Sequence, residues 1–370
     1  MLKHEFNGPA FTIGVEEELM IIDAEGLDLA QRIEGILDAV PEELAGQVKP
    51  ELMKSVLEVA TVPCPDVGAA GKQLAVLRRA VAGIAERLGL LIGASGTHPF
   101  ARPEDQEIVE LPRYRELVSE LGYVARQELI FGTHVHVGIS GPNKAIYVAD
   151  GIRRFIPVLL GLSSNSPFWC GRATGMMSSR TPVFRAFPRV GVPPHYGSWE
   201  IYSRRVELMM EAGAIDDYTY LWWDVRPHPN LGTVETRVFD QQTRLDHTLA
   251  LTALTAALAH RLSALFDREE PMVEYPTELI DDNKVRAALH GVEGRLIDFR
   301  EGAQVPARDM VRRMLDELAE HAEELGCEAE LAGVADLIAN GTGARRQLEF
   351  YEPNGDVRAL VREMAGNTRP

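Results

Sequence analysis

The strongest constraint on the fold of this chain is a regular alternation of side chains in residues 129–140, LIFGTHVHVGIS. Successive side chains of a β-strand point to opposite faces, so this run predicts a strand. One face carries His134 and His136 between two glycines, and the other face is apolar. Glycines on the polar face leave room for a ligand to approach the backbone. The run therefore predicts a strand that packs on a core and presents two imidazoles.

Two further strand-like runs, residues 11–22 and 231–239, repeat this arrangement. Their polar faces carry Glu16, Glu18, Glu235 and Arg237. The opposite faces are apolar, interrupted only by Glu17 in the first run. A fourth run, residues 54–62, contains Glu58, a carboxylate that is costly to bury unless it is paired or bound to a cation. These runs predict a sheet on which acidic groups and imidazoles share one face.

Such a face has two interpretations. A half-exposed antiparallel sheet presents polar residues to water without any function. Solvated faces, however, favour Lys, Thr, Ser and Gln, whereas this face collects four carboxylates, two imidazoles and a guanidinium. Oxygen ligands with one or two imidazoles and no thiolate suit Mg²⁺ or Mn²⁺. Because Mg²⁺ completes its shell with substrate phosphates, the face indicates nucleotide phosphoryl chemistry without a P-loop or kinase signature.

Charge and composition limit the partners of this chain. The formal net charge of −17 argues against a nucleic-acid partner, and an anionic substrate would need local arginines or metal ions. Three widely spaced cysteines predict neither a disulfide framework nor a structural zinc site. No apolar run approaches the roughly 18 residues of a membrane span, and the first residues lack the apolar core of a signal peptide. We therefore expect a cytoplasmic protein with no membrane partner.

The remaining periodicity predicts helices between the strands. Asp66 is the expected N-cap of the first long helix, and Gly89 is expected to end it. Predicted helices cover residues 66–88, 113–127, 142–162, 199–212 and 245–265, and the chain is mostly helical from about 275. Residues 163–198, rich in Ser, Pro, Gly and Arg, predict a long loop of the kind that forms binding elements or lids. We expect an α+β protein that forms a single catalytic domain over residues 1–370.

Six motifs in order resemble a known family, the YbdK-type carboxylate-amine ligases. They belong to the glutamate–cysteine ligase type 2 group of the glutamine synthetase-like superfamily. The motifs are GVEEE at 14–18, SVLEVAT at 55–61, GTHPF at 96–100, GTHVHVG at 132–138, SSRTPVFRAFP at 178–188 and WWDVRPHPNLGTVETRVFD at 222–240. The resemblance extends from about residue 11 to 290 and is weaker beyond. It implies a glutamine synthetase-like fold, in which a curved antiparallel sheet forms the active site and helices pack on its outer face.

The resemblance also implies roles for individual residues. The implied metal ligands are Glu16, Glu18, Glu58, His134 and Glu235. His136 is implied near the nucleotide phosphates, and Arg237 as a phosphate-contacting catalytic residue. Arg180 and Arg185, in the long loop, are implied substrate or phosphate contacts, and Arg286 a nucleotide contact. The segment 282–291 departs from the family pattern at Lys284 and His290.

The implied activity is ATP-dependent ligation of a carboxylate to an amine through an acyl phosphate, with Mg²⁺ or Mn²⁺ as the metal. Glutamate and cysteine are the substrates that the family label names, and a homodimer is the implied assembly. Two alternatives stay open on the residues alone. A metal-dependent hydrolase could use the same cluster to activate water, and a catalytically weak protein could bind nucleotide without turning it over.

Overall fold

A seven-stranded antiparallel sheet forms the centre of the computed structural model, which describes residues 1–353 and 355–369. The strands are β1 (Ile13–Asp23), β2 (Val48–Pro50), β3 (Val56–Ala60), β4 (Leu90–Gly93), β5 (Gly132–Gly138), β6 (Phe168–Trp169), β7 (Arg172–Ala173), β8 (Val190–Gly191), β9 (Trp222–Trp223), β10 (Val225–His228), β11 (Thr233–Asp240), β12 (Arg295–Asp298) and β13 (Ala303–Pro306). The central sheet runs in the order β10-β11-β5-β1-β3-β2, and β4 also pairs with β1. The other six strands form three two-stranded pairs.

The helices account for most of the rest of the described chain. They are α1 (Ile33–Leu37), α2 (Val67–Arg87), α3 (Pro112–Leu121), α4 (Tyr123–Arg126), α5 (Pro142–Ile152), α6 (Ile156–Ser163), α7 (Arg180–Phe184), α8 (Trp199–Glu211), α9 (Leu245–Asp267), α10 (Thr277–His290), α11 (Ala307–Leu325), α12 (Glu328–Leu331), α13 (Gly333–Ala339), α14 (Gly343–Tyr351) and α15 (Val357–Thr368). Asp66 caps α2 as predicted, since its side chain accepts a hydrogen bond from the Ala69 N–H. Gly89 follows with a φ of +71°, a conformation that favours glycine.

Helices pack on the apolar face of the sheet, as predicted from strand alternation. Val15, Val135 and Val137 are buried in one core cluster together with apolar residues of α5, α6 and α9. Helix α9 is long and apolar enough to cross a membrane by length and composition, but 67% of its apolar window is buried inside the fold. It is therefore the central helix of the core. The predicted α+β class and its antiparallel sheet with helices behind it are confirmed.

Strand β1 organises the site because it has neighbours along both edges. One edge pairs with β3, placing Glu18 opposite Glu58. The other edge pairs first with β5, placing Glu16 opposite His134, and then with β4 from Met20 onward. β4 and β5 therefore separate beside Glu18. The gap leaves the Gly132 N–H free of the β1 backbone, and it donates to the Glu18 carboxylate instead.

Glu17, the one charge on the apolar face of β1, is completely buried. The guanidinium of Arg78 from α2 binds both of its oxygens, with Nε 2.7 Å and Nη2 2.5 Å away. Thr248 and Gln241 donate to the same carboxylate at 2.7 and 3.1 Å. The pair thus satisfies a buried charge and fixes β1 against the helices behind it.

Some local predictions were wrong. The segment 163–198 contains α7 and the short strands β6, β7 and β8, and Ser163, Ser164 and Ser166 within it are buried. The C-terminal region, predicted to be mostly helical, includes the unpredicted hairpin β12–β13.

Candidate active site

Strand register brings the predicted polar residues to one place. Glu16 lies opposite His134, and His136 lies opposite Glu235 on β11. The register between β11 and β5 then shifts between Thr236 and Phe239, a β-bulge that contains Arg237. The bulge directs the Arg237 side chain back to the same cluster, where its Nη1 lies 2.5 Å from Glu235 Oε1.

Three of these side chains are spaced as metal ligands. One ligand atom each from Glu16, His136 and Glu235 lies within 4.8 Å of the others. Nε2 of His136 is 3.6 Å from Glu16 Oε1 and 3.8 Å from Glu235 Oε1. The other ring nitrogen of His136 is 3.0 Å from the Thr233 hydroxyl, which fixes the ring. Nε2 is buried and has no hydrogen-bond partner among the described residues, so this donor set fits a cation.

His134 offers a second position. Its Nδ1 lies 3.1 Å from Glu16 Oε2, and an ionised carboxylate can only accept, so Nδ1–H donates. Its Nε2 then carries a lone pair, is buried without a partner in the described chain, and lies 3.9 Å from Glu18 Oε1. Both imidazoles therefore present free nitrogens to the carboxylates. The predicted roles, with His134 as metal ligand and His136 nearer the phosphates, stay predictions, and this geometry adds His136 as a candidate ligand.

Glu235 is held between two guanidiniums. Arg226 Nε lies 2.7 Å from its Oε2, and Arg237 binds its Oε1. Burial raises the pKa of Glu235, but Arg226 and Arg237 outweigh burial and hold it well below its usual range. The same balance operates at Glu16, where burial is outweighed by His134 and His136. Both carboxylates are therefore ionised and available as ligands.

Other carboxylates near the cluster have pKa values raised above their usual range. Burial, followed by the charge of Glu16, raises the pKa of Glu58 to about 7, although Lys49 Nζ lies 2.9 Å from it. Burial and the charge of Glu18 raise the pKa of Glu128 to about 8. These groups lack enough positive charge nearby. Added cations would relieve this deficit.

The pKa values of the two imidazoles are shifted in opposite directions. Burial and the charge of Arg237 lower the pKa of His134, keeping it neutral as a ligand must be. Burial also lowers the pKa of His136, but Glu235 and Glu16 raise it above its usual value. A cation at the carboxylates would displace the proton that His136 otherwise favours.

Glu16, Glu18, Glu58 and His134 line a cavity of about 340 Å³, whereas His136 and Glu235 lie behind its lining. Aromatic side chains line it as well, namely Tyr114, Phe187, Tyr220 and Trp222. The cationic residues Lys49, Arg113, Arg226 and Arg237 also line it. The cavity thus combines acidic ligands for cations with basic groups for anions.

Arg180 lies at the site, and two other predicted arginines do not. Its buried guanidinium donates to the backbone carbonyls of Arg237 and Val238, and a Cβ at Gly132 would come within 2.6 Å of it. Arg185 instead points outward, is 55% exposed and pairs with Asp281 at 2.6 Å. This position lies away from the acidic cluster, and the catalytic role of Arg185 stays a prediction.

Arg286 is also away from the cavity. It lies on α10 and pairs with Asp282 one turn earlier at 2.6 Å. The predicted nucleotide contact is not supported by this position. Its neighbour Lys284, where the sequence departs from the family pattern, is buried and pairs with Asp224 at 2.7 Å, which holds α10 against the segment before β10.

Sequence reasoning missed Arg226, Glu128 and Lys49. Arg226 was present in a quoted motif, but its position on β10 opposite Glu235 of β11 depends on strand register, which the sequence did not show. Lys49 lies opposite Glu58 on β2, a three-residue strand with too little pattern to detect. Glu128 lies just before β5 in a loop, where no periodicity applies.

Comparisons with known proteins agree with this arrangement. Residues 12–363 match glutamate-cysteine ligase family 2. A Rubrobacter xylanophilus protein, provisionally named glutamate–cysteine ligase 2-1, is 44% identical over 100% of this chain and 98% of its own length. A protein from Sorangium cellulosum, provisionally named glutamate–cysteine ligase 2, is 42% identical over 96% of this chain and 95% of its own.

Solved structures share the fold at low sequence identity. A Francisella tularensis glutamate–cysteine ligase in complex with AMP superposes with a TM-score of 0.71 at 14% identity, covering 99% of this chain and 90% of that one. A bifunctional glutathione synthetase from Pasteurella multocida gives a TM-score of 0.69 at 16% identity, covering 97% of this chain and 52% of that one. At these identities the likeness concerns the fold.

Proposed function

This chain belongs to glutamate-cysteine ligase family 2, and from that premise we propose that it uses ATP to join a carboxylate to an amine. The observation that carries the proposal is the convergence of Glu16, His136 and Glu235, with Arg226 and Arg237 directly behind them. Carboxylates and imidazoles suited to cations thus adjoin guanidiniums suited to phosphate. Neither a hydrolase nor a protein that only binds nucleotide gains support from the comparisons.

The donor set fits Mg²⁺ or Mn²⁺. We propose Glu16, His136 and Glu235 as one group of ligands and His134 with Glu18 as a second. Glu58 stays a proposed ligand, because its raised pKa marks a carboxylate that lacks a cation. When bound, divalent cations would neutralise phosphate oxygens and polarise the transferring phosphoryl group.

The proposed reaction has two steps. A carboxylate oxygen of the first substrate attacks the γ-phosphorus of ATP, and ADP leaves as an acyl phosphate forms. The amine then attacks the acyl carbon, the C–O bond to phosphate breaks, and an amide, inorganic phosphate and a proton are released. Arg237 and Arg180 are positioned to offset charge on the phosphoryl oxygens. Arg226 holds Glu235 ionised and fixed, and no enzyme nucleophile is required.

The substrates are proposed from the relatives' names as glutamate and cysteine. We further propose a single catalytic domain, which is supported by a core cluster that draws on residues from Phe6 to Ile338. A homodimer and a cytoplasmic location remain predictions from the sequence.

The function is tested by ADP release with glutamate, cysteine, ATP and Mg²⁺, followed by a panel of other carboxylates and amines. We expect ADP and amide in equal amounts only when both substrates are present. Absence of amine-dependent ADP release with every pair would refute the ligase proposal, and turnover without ATP would favour a hydrolase.

Two arginines provide a matched pair for this assay. Arg237→Ala should lower kcat by about 100-fold or more, the size typical of losing one donor to a transition-state oxyanion. Arg185→Ala removes the same side chain from the surface and should leave kcat within about twofold. Equal losses in both variants would contradict the site.

A further inference from the structure

Two histidines and a glutamate converge where α9 packs against α11. His260 belongs to α9, and His321 and Glu324 belong to α11. None of the three lines the cavity of the candidate active site. His321 and Glu324 are three residues apart on one helix, so their side chains share a face.

The ligand atoms of this cluster point at one another. Nδ1 of His260 lies 3.0 Å from Nδ1 of His321. Oε2 of Glu324 lies 3.4 Å from the first nitrogen and 3.8 Å from the second. Two neutral imidazoles this close share a single proton, which leaves one nitrogen and the carboxylate to face each other as acceptors. A cation between the three atoms would satisfy all of them.

The spacing indicates which cation. Ligand atoms about 2.0–2.1 Å from a tetrahedral ion are about 3.3–3.4 Å apart, and the three observed separations of 3.0, 3.4 and 3.8 Å lie around that value. Imidazole and carboxylate groups both bind Zn²⁺, and a water molecule from the open side would complete a tetrahedral shell around these three ligands. Mg²⁺ and Ca²⁺ prefer oxygen and would not select this set.

The two imidazoles of this cluster are mostly buried, and its carboxylate is exposed to solvent. The side chains of His260 and His321 are 19% and 16% exposed, whereas Glu324 is 53% exposed. The ring of Phe11, just before β1, lies 4.6 Å from the His260 ring. The imidazoles are therefore held in place by packing, and the carboxylate side is accessible to an ion.

We propose that His260, His321 and Glu324 bind a divalent transition-metal ion of the Zn²⁺ type, separate from the catalytic metals. The ion links α9 to α11 through its two imidazoles. Because α9 also packs beneath β5, the link stabilises the helical layer that supports the catalytic sheet. Its role is structural, and it takes no part in the ligation chemistry.

The test counts Zn²⁺ bound by the full-length protein. Chelator-treated protein is titrated with Zn²⁺ against a chromophoric indicator, in wild type and in His321→Gln, Glu324→Gln and Glu323→Gln. The last variant removes the same charge from an exposed neighbour on the same helix. The series is repeated in a His136→Gln background, which removes a proposed ligand of the catalytic site.

We expect His321→Gln to lose one equivalent of tightly bound Zn²⁺, and Glu324→Gln to bind that equivalent about tenfold or more weakly. Glu323→Gln should bind as wild type, and the equivalent should persist in the His136→Gln background. Zn²⁺ should also raise the melting temperature of wild type and of Glu323→Gln by the same amount.

Equal stoichiometry and affinity in wild type, His321→Gln and Glu324→Gln would overturn the proposal, as would loss of all Zn²⁺ binding in His136→Gln. If His321→Gln does not fold, the exposed Glu324→Gln variant decides the result alone. Ligase turnover in His321→Gln provides a separate control, because failure of the proposed function would leave the Zn²⁺ count unaffected.

Discussion

Replacing Arg78 with methionine tests whether the buried ion pair beneath β1 supports the active-site strand. Methionine keeps much of the apolar stem but removes the guanidinium, which leaves Glu17 charged and completely buried. Arg78 also donates to the carbonyls of Thr243, Gln242 and Thr368 at 2.8, 2.9 and 3.2 Å, and all three would lose that donor.

The expected cost follows from these contacts. Breaking a buried pair by removing one partner costs about 3–5 kcal/mol, because the remaining charge has no compensation. Thr248 and Gln241 still donate to Glu17 and reduce the penalty, whereas the three carbonyls add to it. We expect a loss of about 4 kcal/mol, a large part of the roughly 5–15 kcal/mol that stabilises a typical domain.

Urea denaturation followed by circular dichroism measures this loss. Arg79→Met, an exposed neighbour on α2, is the matched control and should change the free energy of unfolding by less than about 0.5 kcal/mol. The double variant Glu17→Gln with Arg78→Met should recover at least half of the loss, since no charge is left unpaired. A cost below about 1 kcal/mol for Arg78→Met, or no recovery in the double variant, would refute the reasoning.

The other predictions concern the site itself. Glu235→Gln should lower kcat at least about 100-fold in the ADP-release assay, while the circular dichroism spectrum stays unchanged. Near-normal turnover would exclude Glu235 as a metal ligand. Arg226→Lys keeps the positive charge but loses the simultaneous contacts of the guanidinium to Glu235 and the backbone. We therefore expect a higher apparent KM for Mg²⁺. An unchanged KM would exclude a positioning role for Arg226. Arg286→Ala should leave the KM for ATP within about twofold, because its guanidinium pairs with a neighbour on α10; a tenfold increase would restore it to the site. Glu58 has a folded pKa of about 7 against 4.5 for the free acid. Metal-free protein should therefore lose about 2–3 kcal/mol of stability from this group as the pH rises from 5 to 8. Glu58→Gln should flatten that profile in urea titrations with chelator. An unchanged pH slope in Glu58→Gln would contradict the raised pKa.

The sequence predicts which side chains share one face of a strand. It does not predict which residues lie opposite each other on neighbouring strands. The period of two places Glu16 and Glu18 together whatever their neighbours are. That Glu235 lies opposite His136 depends on register, which a turn, a bulge and the packing of distant helices decide together. The partner of Glu17 was equally hidden, because Arg78 is 61 residues away on a helix.

The different positions of Arg180 and Arg185 have a geometric cause. Arg180 and Arg185 are five residues apart at α7, and five residues rotate a helix by about 140° beyond a full turn. The two side chains therefore cannot point in the same direction, and Arg180 is the one that is buried. β10 escaped prediction because Pro227 lies within its four residues. Proline is tolerated there because β10 is the edge strand of the sheet.

Charge balance explains why an acidic chain can hold an anionic nucleotide. The cavity lining gathers Glu16, Glu18, Glu58 and Glu128, and burial, followed by the charges of Glu16 and Glu18, raises the pKa of the last two. Guanidiniums hold the neighbouring Glu235 ionised, but Lys49 near Glu58 and the arginines near Glu128 do not offset the burial of those two carboxylates. A divalent cation would favour the ionised forms of Glu58 and Glu128 and would compete with protons for them. Once cations are bound, the same group of residues becomes positive toward phosphate. The affinity for ATP should therefore depend on prior or simultaneous binding of metal.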